Sequence, residues 1–177
     1  MNRATGAGYR NTRIFMDSRD NRATAETSCH SAVKTPSVRK RRETAEVLGR
    51  SGNPAAIPAL LTTLSDPSLE VRKAAILALG RIRDSDAVPG LVCSLEDPDP
   101  RVRVVAISAL GMIKDRSISP ALIHCLNDRD MTVRMGAIEV LGRLGVTCAL
   151  SPLERLLLDP SSDIRVAAGR AIERIRK

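Results

Sequence analysis

The sequence predicts an all-α solenoid, and three observations predict it. One stretch recurs: Asp66–Ile82 returns from Asp97 and from Asp128, and in a shortened form from Asp159, always 31 residues apart. Within it, Val71, Ala74, Ala75, Ala78, Leu79 and Ile82 keep helical spacing. The only aromatic residues, Tyr9 and Phe15, precede the repeats, so the core must be built from small aliphatic side chains. A fixed period of this length signals stacked repeats, because each unit can bury its apolar stripe only against a neighbour.

Taken in order, residues 1–34 are polar, carry charges of both signs and show no apolar period. They read as a disordered basic leader. They contain no apolar run of the secretory kind, and Asp17, Asp20 and Glu26 argue against an organelle transit peptide. The repeat domain spans 35–177, as units 35–65, 66–96, 97–127 and 128–158 and a half unit, 159–177. Each unit reads as two helices. The first starts at Asp-Pro or Asp-x-Asp, where a carboxylate caps free N–H groups and proline suits the first turn. A polar turn such as Arg83-Asp84-Ser85 ends it, and the second enters through Pro58, Pro89 or Pro120; in the fourth unit the proline is displaced by one position, to Pro152. The outer copies are more polar at core positions: Lys40 replaces Val71, and Glu173 replaces Gly80. Terminal caps need such polarity.

The formal charge is +8, a balance that favours acidic proteins, anionic surfaces or nucleic acid as partners. Cys29, Cys93, Cys125 and Cys148 form no C-x-x-C pair, which suits a reducing, cytoplasmic setting rather than a disulfide framework. No apolar run reaches the roughly 20 residues of a membrane span. Arg72, Arg103, Arg134 and Arg165 recur with the aspartates. They read as a structural ladder, because a bidentate guanidinium suits repeated packing. Cys93 and His124 share a register position with Thr62 and Arg155, so the row reads as surface residues and not as metal ligands.

The pattern D-P-x-x-x-V-R-x-x-A-x-x-A-L-G, followed by x-x-P-x-L-x-x-x-L, resembles the short HEAT-like repeats, and most closely those named after phycobilisome lyases. The resemblance covers 35–177 and implies a right-handed superhelix of about four and a half helical hairpins, with the V-R helices lining a concave face. Some similar arrays are deoxyhypusine hydroxylases, in which His-Glu pairs early in the V-R helix hold iron. The matching pairs here are Arg42-Glu43, Lys73-Ala74, Val104-Val105 and Met135-Gly136, without histidine. That activity is therefore not expected. A bilin-lyase-like accessory role stays open by analogy alone.

What remains is the outward face of the first helices. It holds four rows, of which nine positions are basic and four acidic. The partner-binding residues expected there are Arg50, Lys73, Leu77, Arg81, Val104, Met112, Met135, Arg143, Arg170 and Arg174, an apolar centre with a basic rim. The expected function is a non-enzymatic scaffold with no cofactor, no metal, no membrane contact and no small-molecule substrate. It would bind another protein through an acidic surface. Nucleic acid is the second reading, through phosphate contacts on the same face. The array lacks aromatic stacking platforms, which counts against single strands.

Overall fold

The structure, a computed structural model, describes residues 36–177; the expected leader, with Cys29, lies outside them. Nine α-helices and no strand follow one another among the described residues. They are α1 (Val38–Ser51), α2 (Ile57–Thr63), α3 (Leu69–Ile82), α4 (Val88–Cys93), α5 (Pro100–Ile113), α6 (Ser119–Cys125), α7 (Met131–Leu144), α8 (Leu150–Arg155) and α9 (Ser162–Arg176). The odd-numbered helices are long and stack side by side as one layer. The even-numbered ones are short, and each packs on the long helix that follows it.

The core repeats as the sequence does. Leu60, Leu91, Leu122 and Leu153, one from each short helix, are all fully buried. So are Leu79, Leu110 and Leu141 from the long helices. None of these helices is long enough to be stable alone in water, so the shared core is what holds each one.

The helix starts differ from expectation. Asp66, Asp97, Asp128 and Asp159 are not the caps. Each accepts the N–H of the residue two positions on, at 2.8–2.9 Å, an Asx turn that aims the chain into the helix. The cap is that next residue: Ser68, Asp99, Asp130 or Ser161. Asp99 and Asp130 accept from N–H groups of the first turn. Pro67, Pro98 and Pro160 accordingly lie outside the helices, and only Pro100 occupies a first turn of the long layer.

The helix ends carry a second period. Gly52, Arg83, Lys114 and Gly145 are each left-handed, with φ between 60° and 64°. Glycine takes this conformation freely, whereas an L side chain costs roughly 1–2 kcal/mol there. Lys114→Gly should therefore stabilise the protein by about 0.5–1 kcal/mol after the entropy glycine adds to the unfolded chain. An unchanged or lower urea midpoint would contradict this.

Neighbouring long helices meet at glycine. A Cβ added to Gly80 would lie 2.8 Å from the Cα and Cβ of Ala109, and Gly49 faces Ala78 and Gly142 faces Ala171 in the same way. The α5–α7 seam departs from this. Gly111 faces Val140, and the Arg143 guanidinium lies over it, 2.5 Å from where a Cβ would stand.

Candidate functional site

Any face presented by the long helices is rigid only if the helices are fixed in register, and the arginine ladder does this. Arg41, Arg72 and Arg103 each grip the aspartate 25 residues on, in the following unit. The third rung is the most buried: Arg103 Nε and Nη2 each donate to Asp128 at 2.8 Å, and the two side chains are only 6% and 13% exposed. The remaining nitrogen, Nη1, donates to the carbonyls of Asp97 and Pro98 in its own unit. The hydrogen bonds it donates to Asp128 hold the Arg103 guanidinium above its usual range. The geometry of Arg72 and Arg103 is that of the structural ladder expected from the sequence.

The fourth rung is open. Arg134 keeps its backbone anchors on Asp128 and Arg129. Its Nε is buried without a hydrogen-bond partner.

On that frame the expected site residues fall into two groups. Arg50, Leu77 and Arg81 line one shallow depression of about 340 Å³ between α1 and α3, with Glu46 and Ala74. Met135, Arg170 and Arg174 line another of about 250 Å³ between α7 and α9, with Glu139. Arg50, Arg81, Arg143, Arg170 and Arg174 are exposed, and none of them pairs with a carboxylate of another described residue. Lys73 differs, being 3.5 Å from Glu70.

Leu77, Val104, Met112 and Met135 are half-buried, and Val104 and Met135 pack against the core. The face is thus two arginine-lined hollows joined by a stretch of partly covered apolar surface. Arg143 lines neither hollow; its guanidinium leans back across Gly111. Glu46 and Glu139, two of the four acidic positions of the outward rows but not among the expected partner-binding residues, make each hollow of mixed charge.

The other chemistry-bearing side chains lie apart from this face. Cys93 and Cys148 are exposed, and Cys125 is buried. Burial pushes the Cys125 thiol up to about 11, which keeps it protonated and unreactive. His124 is exposed. Among the described residues no three His, Cys, Asp or Glu side chains gather as metal ligands would, and no helix is long and apolar enough to cross a membrane.

The family model for HEAT repeats matches residues 28–97 and 88–173. Among solved structures, the complex of CpcE and CpcF of phycocyanin lyase from Nostoc sp. PCC7120 is similar, with 30% identity and a TM-score of 0.68. The match covers 82% of this chain, which spans 62% of the length of the other. Human deoxyhypusine hydroxylase in complex with glycerol shares the fold at 18% identity and a TM-score of 0.53, covering 76% of this chain and 67% of that one. A designed armadillo repeat protein in complex with the peptide (KR)4 does so at 22% identity and 0.54, covering 68% and 64%. Comparison with curated proteins finds no match.

Proposed function

We propose, since this chain belongs to the HEAT-repeat family, that it is a non-enzymatic scaffold whose long-helix face captures an acidic protein or peptide segment. One observation carries the reading. Five exposed arginines on this face, Arg50, Arg81, Arg143, Arg170 and Arg174, lack carboxylate partners among the described residues. They flank half-buried Leu77, Met112 and Met135. Guanidinium groups around adaptable apolar side chains suit carboxylate-bearing segments that also bury a few side chains. The hollows hold glutamates too, so a purely anionic ligand is repelled in part. This favours a mixed, acidic-rich peptide over a phosphate backbone.

The test is affinity purification from the native host with wild-type protein and with the Arg81→Glu/Arg143→Glu variant. Capture of the wild-type partner should fall at least about tenfold, since each reversed charge-assisted contact is worth roughly 1.5–3 kcal/mol, with helix content unchanged by circular dichroism. Undiminished capture would sink the proposal. A gel shift with duplex DNA at low and moderate salt separates the nucleic-acid reading, which requires a steep salt dependence.

The likeness to the CpcE–CpcF complex favours one further reading, a bilin-lyase-like accessory role. Its test is whether protein purified from the native host carries visible bilin absorbance.

A further inference from the structure

The two arginine hollows of the long-helix face are one arrangement built twice. Glu46, Ala74 and Arg81 line the α1–α3 hollow, and Glu139, Ala167 and Arg174 line the α7–α9 hollow at the same register positions, three 31-residue units on. The row that carries arginine reads Arg50, Arg81, Met112, Arg143, Arg174. Met112 of α5 interrupts it, so each of the two middle seams has at most one arginine from this row. Each hollow has two arginines. The first holds Arg50 and Arg81. The second holds Arg170 and Arg174, while Arg143 is turned away over Gly111.

The interior of the array sets the distance between the hollows. Arg72 and Arg103 tie each unit to the next through Asp97 and Asp128. Gly80 and Gly142 hold their helices at the close approach of Ala109 and Ala171. Three steps between neighbouring helices, at about 8–10 Å each, separate the hollows by roughly 24–30 Å. An extended chain covers that distance with roughly 7–9 residues, and a helix needs roughly 16–20. A helix is also about 10–12 Å across, so it rests over hollows of about 250 and 340 Å³ without entering them. An extended segment can lower a side chain or two into each.

We infer that the occupant of this face is one extended segment with two acidic clusters, roughly 7–9 residues apart, and uncharged residues between them over α5. The inference rests on the acidic-segment reading above and adds the spacing. Charge complementarity places the clusters: each hollow sets two guanidinium groups against one glutamate. Glu46 is itself offset by Arg42, 3.3 Å away. Between the clusters the segment meets half-buried Val104 and Met112 and exposed Ser108, where a carboxylate gains nothing and an apolar side chain does. Once one cluster is seated, the rigid frame makes the second contact intramolecular.

The test titrates fluorescein-labelled peptides with the full chain at low salt and reads anisotropy. Two Glu-Asp-Glu triplets are joined by one, six or twelve prolines, a stiff spacer that sets the triplet centres roughly 12, 28 and 47 Å apart. A single triplet is the reference. The six-proline peptide should bind at least about tenfold more tightly than the other three. Arg81→Glu and Arg174→Glu, made separately and with helix content unchanged, should each reduce it to the level of the single triplet or below. Equal affinity at every spacing, a twelve-proline peptide that binds best, or a gain that survives either variant would overturn the inference. Equal affinities that still fall with Arg81→Glu would leave the acidic-segment reading standing, whereas failure of every peptide to bind would remove both.

Discussion

Truncating Arg103 to alanine should destabilise the protein by about 3–5 kcal/mol, the range for breaking one side of a buried ion pair. The side chain is 6% exposed and makes two bonds to Asp128 and two to backbone carbonyls. Its loss strands a half-buried carboxylate and unties two neighbouring units at once. Arg134→Ala serves as the internal comparison: Arg134 has the same backbone anchors but no aspartate, and its cost should be clearly smaller. Urea unfolding followed by helix circular dichroism reads both, and equal midpoints would refute the role of the rung. The pair also sets an acid limit. Burial, the largest single influence on Asp128, pushes its carboxyl up. Hydrogen bonds from Arg103 and the Asp130 N–H together outweigh this, leaving it below the ordinary 3.8. Asp66 is lowered chiefly by its hydrogen bonds with Arg41. A carboxylate whose folded value is depressed contributes stability that is complete above its unfolded value and lost as pH falls through the folded one. The wild type should therefore lose stability below about pH 4, and Asp128→Asn should be less stable at neutral pH with a flatter acid limb.

Gly80→Ala should be the second large effect. Its Cβ would stand 2.8 Å from the Ala109 Cα, and backbone cannot rotate away as a side chain can, so α3 and α5 must separate along the seam. Overpacking of this kind costs roughly 1–3 kcal/mol and occasionally more, while alanine regains about 1 kcal/mol of helix propensity. A net loss of about 1–2 kcal/mol is expected from that balance. Gly111→Ala is the discriminating control. There the nearest atom is the flexible Arg143 Nη2, and the Val140 methyls are 3.1 Å away. Arg143 can swing outward, so Gly111→Ala should be near neutral. If the two variants proved alike, the glycine seam would not be what sets the helix spacing.

The fold was legible because its determinants are periodic. Val71, Leu79 and Gly80 return at fixed intervals, and one packing solution serves every copy. Leu60, Leu91, Leu122 and Leu153 were equally readable as a buried column. What was not legible depends on departures within that register or on backbone angles. The shift of the cap from Asp66 to Ser68 needs the Asx turn, which the Asp-Pro pair does not reveal. The left-handed φ of Arg83 and Lys114 is visible only beside Gly52 and Gly145. On the candidate face, outward projection placed Arg81 and Arg174 in the open. It did not show that Val104 and Met135 lean inward, because their burial is decided by the neighbouring unit. The seat of Arg143 over Gly111 follows from Val140 standing where Ala78 and Ala109 stand elsewhere, a one-residue difference whose effect is three-dimensional.

The ladder also says how this architecture can change length. Each rung joins an arginine to an aspartate 25 residues later, and each glycine meets the residue 29 later. A deletion of a single residue between them breaks both seams. Removal of residues 97–127 instead brings Asp128 to Arg72 and Val140 to Gly80, so the rung is re-formed and only the small-residue contact is mismatched. Gain or loss of whole 31-residue units is thus the mildest change open to the chain, and the size of the long-helix face can be adjusted in steps without redesigning the core.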